Sequence, residues 1–291
     1  MTALVTAESL VFLRGSQRAV DGVSFQLHAG TLTALAGTNG AGKTTLLKLI
    51  LGVLCPASGT LSVLGGAPGE NRRRVGYLPE NVSFYDAMTI EEHLTFFGRL
   101  KGVAPAAVRR TAERLRLAEL AKKTPKDCSK GQRQRLGLAQ ALLADPDVLL
   151  MDEPTTGLDP QTTQALYEIL AERARQGCAV LISTHELALV EKHLDQVMML
   201  KDGRLTAGPA TLEALRQQAQ LPVRVSVPGC GADWAAKIGL PGVTWEHDHF
   251  VLPETALVPL VKQLTGAGCF DFEVMKPDLT ALYSHFNGVA V

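Results

Sequence analysis

The run Gly37-Thr38-Asn39-Gly40-Ala41-Gly42-Lys43-Thr44-Thr45 constrains this chain more than any other stretch. It fits the pattern G-x-x-x-x-G-K-[ST] without a mismatch. It lies between an apolar strand candidate, Leu32 to Ala36, and a helical run, Leu46 to Leu51. The pattern has a physical cause. A backbone that wraps a polyphosphate turns its N–H groups inward, which calls for glycines free to take positive φ. The helix that follows aims unsatisfied N–H groups and the positive end of its dipole at the phosphates. Lys43 reaches the β and γ oxygens as a point charge, and the Thr44 hydroxyl is placed to ligate Mg2+. These residues imply a bound nucleoside triphosphate.

Kinases, GTPases, helicases and transport ATPases share such a loop, so the class must come from elsewhere. In Val148-Leu149-Leu150-Met151-Asp152-Glu153, four apolar residues read as a strand buried on both faces of a parallel sheet. Asp145-Pro146-Asp147 and Pro154 bound it. Ligands of open α/β sheets collect at the carboxyl ends of the strands, which brings both carboxylates near the phosphates. Asp152 suits Mg2+, directly or through water. Glu153 suits polarisation of the water that attacks the γ-phosphate.

Cys128-Ser129-Lys130-Gly131-Gln132 then precedes a helical run, Arg133 to Leu143. Ser129 is a natural N-cap, so this helix start is a second anion site, for which one chain with one phosphate loop has no evident use. Further on, a buried strand candidate ends in His185, within Ala179-Val180-Leu181-Ile182-Ser183-Thr184-His185, and Thr156-Gly157-Leu158-Asp159 follows the carboxylate pair. Taken in this order, the motifs resemble those of ATP-binding cassette (ABC) ATPases over about residues 4–220. Ser129, Gly131 and Gln132 match the family's signature, while Cys128 and Lys130 stand where Leu and Gly are usual.

That resemblance implies a P-loop NTPase fold of the ABC type with a helical subdomain, ATP hydrolysis coupled to transport, and ATP with Mg2+ as cofactors. It also implies a head-to-tail homodimer in which Ser129, Lys130, Gly131 and Gln132 of one copy cover the γ-phosphate held by the Lys43 loop of the other. His185 would contact the γ-phosphate and hold the attacking water, and Asp159 would link the two sites. Where many members have a Gln that touches Mg2+ and couples to the membrane partner, this chain has Glu80, a harder and charged ligand. At the place of the adenine-stacking aromatic stands Arg14, with Phe12 two residues earlier; either can stack on the base. Within the family, the Gly76 to Tyr85, Ser129 to Leu143 and Lys276 to Tyr283 runs are similar to the ATPase of Nos-type transporters. These serve copper-site assembly in nitrous oxide reductase, and the similarity implies a polytopic, NosY-like membrane permease and possible periplasmic partners. Subunits of drug, lipid or polysaccharide exporters share most of the motifs and stay open as alternatives.

Composition sets the remaining limits. With 291 residues and 46% hydrophobic content, the chain is long enough for one large domain and a small one. Lys+Arg 29 balances Asp+Glu 29, which gives no electrostatic case for nucleic acid despite local patches such as Arg72-Arg73-Arg74. No apolar stretch approaches the roughly 18 residues that span a bilayer. Met1 to Leu10 lacks a basic-then-apolar leader pattern, so the expected location is the cytoplasmic face of the inner membrane, peripherally bound. Five scattered cysteines without a C-x-x-C pair read as reduced thiols.

The expected boundaries are 1–220 for the ATPase domain, with a helical subdomain at about 89–144, and 221–291 for an accessory domain. Thr89 with Glu92 forms a capping-box pattern at the start of the helical insert. Phe84 and Tyr85, in a loop, are better placed to dock a membrane subunit than the helical Phe96 and Phe97. In the last segment, strands at Val223–Val227, Val243–His247, Phe250–Leu252 and Phe270–Val274 alternate with helices at Ala232–Ile238 and Glu254–Leu264. A helix at Leu279–Phe286 closes the segment. The βαββαβ order predicts a small α+β, ferredoxin-like unit. His247 and His249 alternate there, too few for a metal site.

Overall fold

The computed structural model describes residues 2–229 and 238–288. The chain separates into two compact units, Met1–Thr211 and Leu212–Val291.

The first unit holds two sheets. β1 (Ala3–Arg14), β2 (Gln17–His28) and β4 (Ser58–Val63) form an antiparallel sheet in the order β2-β1-β4. The second is β5-β6-β7-β3-β8-β9, built from β3 (Leu32–Ala36), β5 (Val75–Leu78), β6 (Val148–Asp152), β7 (Ala179–Thr184), β8 (Gln196–Lys201) and β9 (Arg204–Ala210). It is parallel except for β9, which pairs antiparallel with β8. β3, β6 and β7 are buried at every position, which is why they read as unbroken apolar runs. A shared core joins Val5, Leu10 and Val23 of the small sheet to Leu35, Leu150 and Met198 of the large one. Leu47 and Ile50 of α1 (Lys43–Ile50) complete it. Each such side chain, fully buried, contributes about 1.5–3 kcal/mol. The consequence is a rigid platform from which the carboxyl ends of β3, β6 and β7 emerge side by side.

The helical insert comprises α2 (Ile90–Lys101), α3 (Pro105–Arg114) and α4 (Lys130–Leu142). The Thr89–Glu92 capping box forms as expected. α4 starts three residues before the expected Arg133, because Ser129 and Gln132 form a second reciprocal box. Among the connecting elements, α5 (Pro160–Arg175) opens on an Asp159 cap, and α6 (Leu187–Val190) is one turn.

The boundary of the compact units lies at 211/212 rather than 220/221. α7 (Leu212–Ala219) groups with the second unit, where Arg216 donates to the Pro277 carbonyl at 2.8 Å. That unit is an antiparallel sheet ordered β11-β12-β10-β13, from β10 (Val223–Ser226), β11 (Thr244–Glu246), β12 (His249–Leu252) and β13 (Glu273–Met275). In the unit's own chain order this is 2-3-1-4, the strand order of a ferredoxin-like sheet. α8 (Leu257–Gly266) and α9 (Leu279–Asn287) accompany it. The helix expected at Ala232–Ile238 falls, apart from Ile238, outside the described residues. The last strand begins at Glu273 rather than Phe270, whose ring is exposed. His247 and Asp248 both take positive φ as the two-residue turn between β11 and β12, so His247 does not share a strand face with His249. Among the described residues no cluster of three metal-ligating side chains occurs.

Candidate functional site

The phosphate loop leaves β3 at Gly37 and enters α1 at Lys43. Gly42 is the helix N-cap, at φ 108°. No side chain caps this helix, and a Cβ at Gly42 would run into the Ala19 carbonyl. Only glycine fits there, and the first N–H groups of α1 stay free for a ligand. Lys43 folds back over the loop: its Nζ donates to the Gly37 carbonyl at 2.6 Å and to that of Thr38 at 3.3 Å. It also meets Glu153 Oε1 at 3.0 Å, without the alignment of a hydrogen bond.

Glu153 follows the last residue of β6, and its other oxygen lies 2.8 Å from His185 Nδ1, just beyond β7. Lys43, Glu153 and His185 thus form a continuous chain of contacts. Parallel register pairs Asp152 with Ser183. The Ser183 hydroxyl donates to Asp152 Oδ1 at 2.6 Å and accepts from the Glu153 N–H at 3.0 Å. Ser183 is therefore a site residue that the sequence reading passed over, since it looks like an ordinary strand position.

A cavity of about 640 Å3 lies over the loop. It is bordered by Thr38, Asn39, Gly40, Gly42, Lys43, Thr44, Thr45, Glu80 and Glu153, and by Arg14 with Gln17, Arg18, Ala19, Asp202 and Gly203. Arg14 is thus on the cavity wall. Phe12 is not: it packs, half-buried, against the core, so of the two candidates for the base only Arg14 borders the nucleotide space. Asp202 and Gly203, the turn between β8 and β9, reach this wall because the Gly203 N–H donates to the Ala41 carbonyl at 3.0 Å. The Asp-Gly pair between two apolar runs marks a hairpin turn in the sequence, but nothing local places that turn against the phosphate loop. Beside β6, burial first and then the charges of Asp152 and Glu80 push the Tyr77 hydroxyl up to about 12. Tyr77 therefore remains a neutral neighbour of both carboxylates.

The Ser129–Gln132 segment borders none of this cavity. Its residues sit at the exposed start of α4. There Lys130 lies over Gly157, and Gly131 faces Thr162 and Leu158 with room for a Cβ at 3.6–3.9 Å. Asp159 caps α5 through Thr162, whose hydrogen bonds hold its carboxyl below the usual carboxylate range. The starts of α1 and α4 therefore do not border one cavity within a single chain.

A strand–glycine loop–helix element, a strand-end carboxylate pair and a capped second helix define a P-loop ATPase of the cassette class. A profile described as ABC transporter matches residues 20–156. The chain is 40% identical over 224 residues to the uncharacterized ABC transporter ATP-binding protein YxlF of Bacillus subtilis (strain 168), covering 76% of this chain and 75% of that protein. It is 38% identical over 214 residues to the Nod factor export ATP-binding protein I of Ralstonia nicotianae (strain ATCC BAA-1114 / GMI1000), with 71% and 67% covered. A solved ATP-binding subunit of an ABC transporter superposes with TM-score 0.69 at 33% identity, over 74% of this chain and 92% of that one. The chain belongs to the ABC transporter ATP-binding family, a family of ATPases.

Proposed function

We propose that two copies of this chain close around two ATP molecules and drive a separate membrane permease. The observation that carries this reading is the separation of the two anion sites. The Lys43 cavity lacks the Ser129–Gln132 segment, and that segment has an exposed, capped helix start of its own. Head-to-tail pairing gives each its counterpart. Lys43 and the α1 N–H groups hold the phosphates, Glu153 orients and deprotonates the attacking water, and His185, touching Glu153, holds that water in line. Ser129, Lys130, Gly131 and Gln132 cover the partner's γ-phosphate, and Asp159 lies on the same edge.

Mg2+ fits the oxygens at hand. A threonine hydroxyl and a carboxylate, Thr44 and Glu80, border one cavity, and Asp152 stands at the adjoining strand end with a single serine donor. These three residues would hold the ion, which when bound neutralises charge on the β and γ oxygens.

None of the helices among the described residues is long and apolar enough to cross a membrane, and in this reading the ATPase binds peripherally to a polytopic permease. Its dock is the loop and helix surface at Phe84, Tyr85 and Phe96, of which Tyr85 and Phe96 are exposed. The likeness of the Gly76–Tyr85 and Lys276–Tyr283 runs to the Nos-type ATPase supports a place in copper-site maturation of nitrous oxide reductase, with a NosY-like permease. A second reading, an exporter ATPase, draws on the Nod factor export relatives. Co-purification from detergent-solubilised membranes tests the transport reading: a polytopic partner supports it, and a nucleic-acid partner rejects it. Loss of the copper site of nitrous oxide reductase on deletion separates the two readings.

A further inference from the structure

Glu153 is one of the few non-glycine residues with positive φ, at 47°. Such a backbone persists only where its surroundings over-determine it. On the amino side the cause is plain, because the Glu153 N–H is held by both the carbonyl and the hydroxyl of Ser183, at 3.1 and 3.0 Å. On the carboxyl side the Glu153 carbonyl accepts one long bond, from the Thr156 N–H at 3.3 Å, and the next residue is Pro154, which has no N–H to offer. Its only polar handle is its carbonyl, and the Gln134 side-chain amide donates to it at 2.7 Å. One residue further, the Thr155 hydroxyl donates to Glu186, the neighbour of His185, at 2.9 Å.

Gln134 is not part of the phosphate cavity. It lies on α4, five residues beyond the Ser129 cap, about 7.5 Å along a rigid helix. Its amide therefore joins the helix that begins with the signature residues to the turn that aims the Glu153 carboxylate. We infer that Gln134 is a positioning residue for Glu153. By holding the Pro154 carbonyl it fixes the left-handed backbone at Glu153, and it carries any shift of the Ser129 end of α4 to the carboxylate. The inference rests on the reading of Glu153 as the base and extends it.

Two variants of the full chain test it, each near-isosteric with glutamine. Gln134→Met removes the donor, and kcat should fall about 10- to 100-fold while KM and MgATP affinity stay within about twofold. Gln134→Glu places a carboxyl against the Pro154 carbonyl. Ionised, it repels that oxygen; protonated, it donates to it as the amide did, and this contact raises its pKa against the opposing charges of Arg114, Arg116 and Arg135 on the same cavity wall. Its kcat relative to the parent should therefore rise at least about threefold between pH 8 and pH 6, while the Met/parent ratio stays flat. A Met variant that turns over at the parent rate, or that loses affinity in step with kcat, overturns the inference. So does a Glu/parent ratio that does not change with pH, which also decides the matter if the Met variant misfolds. Glu153→Gln is assayed alongside. If it retains parental hydrolysis, the base assignment fails and takes the inference with it. If it is inactive while Gln134→Met is parental, only the role of Gln134 fails.

Discussion

Replacing Glu153 by Gln alters the chemistry of the site and its hold on Lys43 in separable ways. The proposed base is lost, and a positioned general base contributes typically 10²- to 10⁴-fold, about 3–5 kcal/mol at roughly 1.4 kcal/mol per tenfold. The structure adds a second effect. Lys43 meets Glu153 at 3.0 Å and the Gly37 carbonyl at 2.6 Å. ATP must displace the first of these to recruit the ammonium. The carboxylate offers Lys43 an ion pair and the amide only a dipole, so the amide holds Lys43 less firmly, by on the order of 1 kcal/mol. MgATP affinity should rise about fivefold for that reason, and relief of repulsion between the carboxylate and the γ-phosphate acts in the same direction. The expected outcome is therefore near-zero turnover, tighter ATP, and a dimer that survives size exclusion in MgATP. Single-turnover hydrolysis and calorimetric titration read the two effects independently. Hydrolysis within about tenfold of the parent refutes the role of Glu153. Weaker ATP binding refutes the competition for Lys43.

Three further outcomes are expected. Mixing Lys43→Ala chains with Ser129→Arg chains in equal amounts should restore about a quarter of the parent ATPase rate, since half the dimers are mixed and each has one intact site. No recovery with mixed dimers demonstrated counts against shared sites. Gly42→Ala forces a Cβ toward the Ala19 carbonyl at φ 108° and should cost about 1–3 kcal/mol or more. A melting temperature equal to the parent's, with the ATP-induced shift retained, contradicts it. Glu80→Gln should be mild, because it restores the amide that many family members carry at this position. Glu80→Ala should lower permease-stimulated hydrolysis more than the basal rate, and three superimposable profiles would remove Glu80 from coupling.

The parts of this site that can be read from the sequence are those where one backbone conformation demands one residue type. The Gly37–Thr45 loop is such a case, as are the β3 and β6 strands, whose bounds come out at Leu32–Ala36 and Val148–Asp152. Capping boxes are equally local, and both Thr89–Glu92 and Ser129–Gln132 form. What stays hidden depends on register and on distant segments. Ser183 matters only because β7 lies parallel to β6 with Ser183 beside Asp152. Asp202 reaches the nucleotide wall only because the turn between β8 and β9 bonds to Ala41. Phe12 looks like a base-stacking ring from its spacing to Gly15, but the strand β1 turns it toward the core, where burial of the ring outweighs exposure at the cavity.

The same distinction explains why the carboxylate cannot be understood from the phosphate loop alone. Asp152 and Glu153 are adjacent, yet they receive opposite treatment. Asp152 ends an extended strand and is held by one hydroxyl, whereas Glu153 is turned through positive φ toward Lys43 and His185. A residue in the extended conformation at 153 would continue the pleat and send its side chain to the opposite face from Asp152. The left-handed step breaks that alternation, which is how two neighbouring carboxylates can both face one phosphate chain in the roles proposed for them. The backbone of residue 153 is therefore as much a part of the site as its carboxylate. Its conformation is fixed from three elements at once: β6, the Ser183 position of β7, and α4 through Gln134. A change in any of them should move the carboxylate without touching the nucleotide.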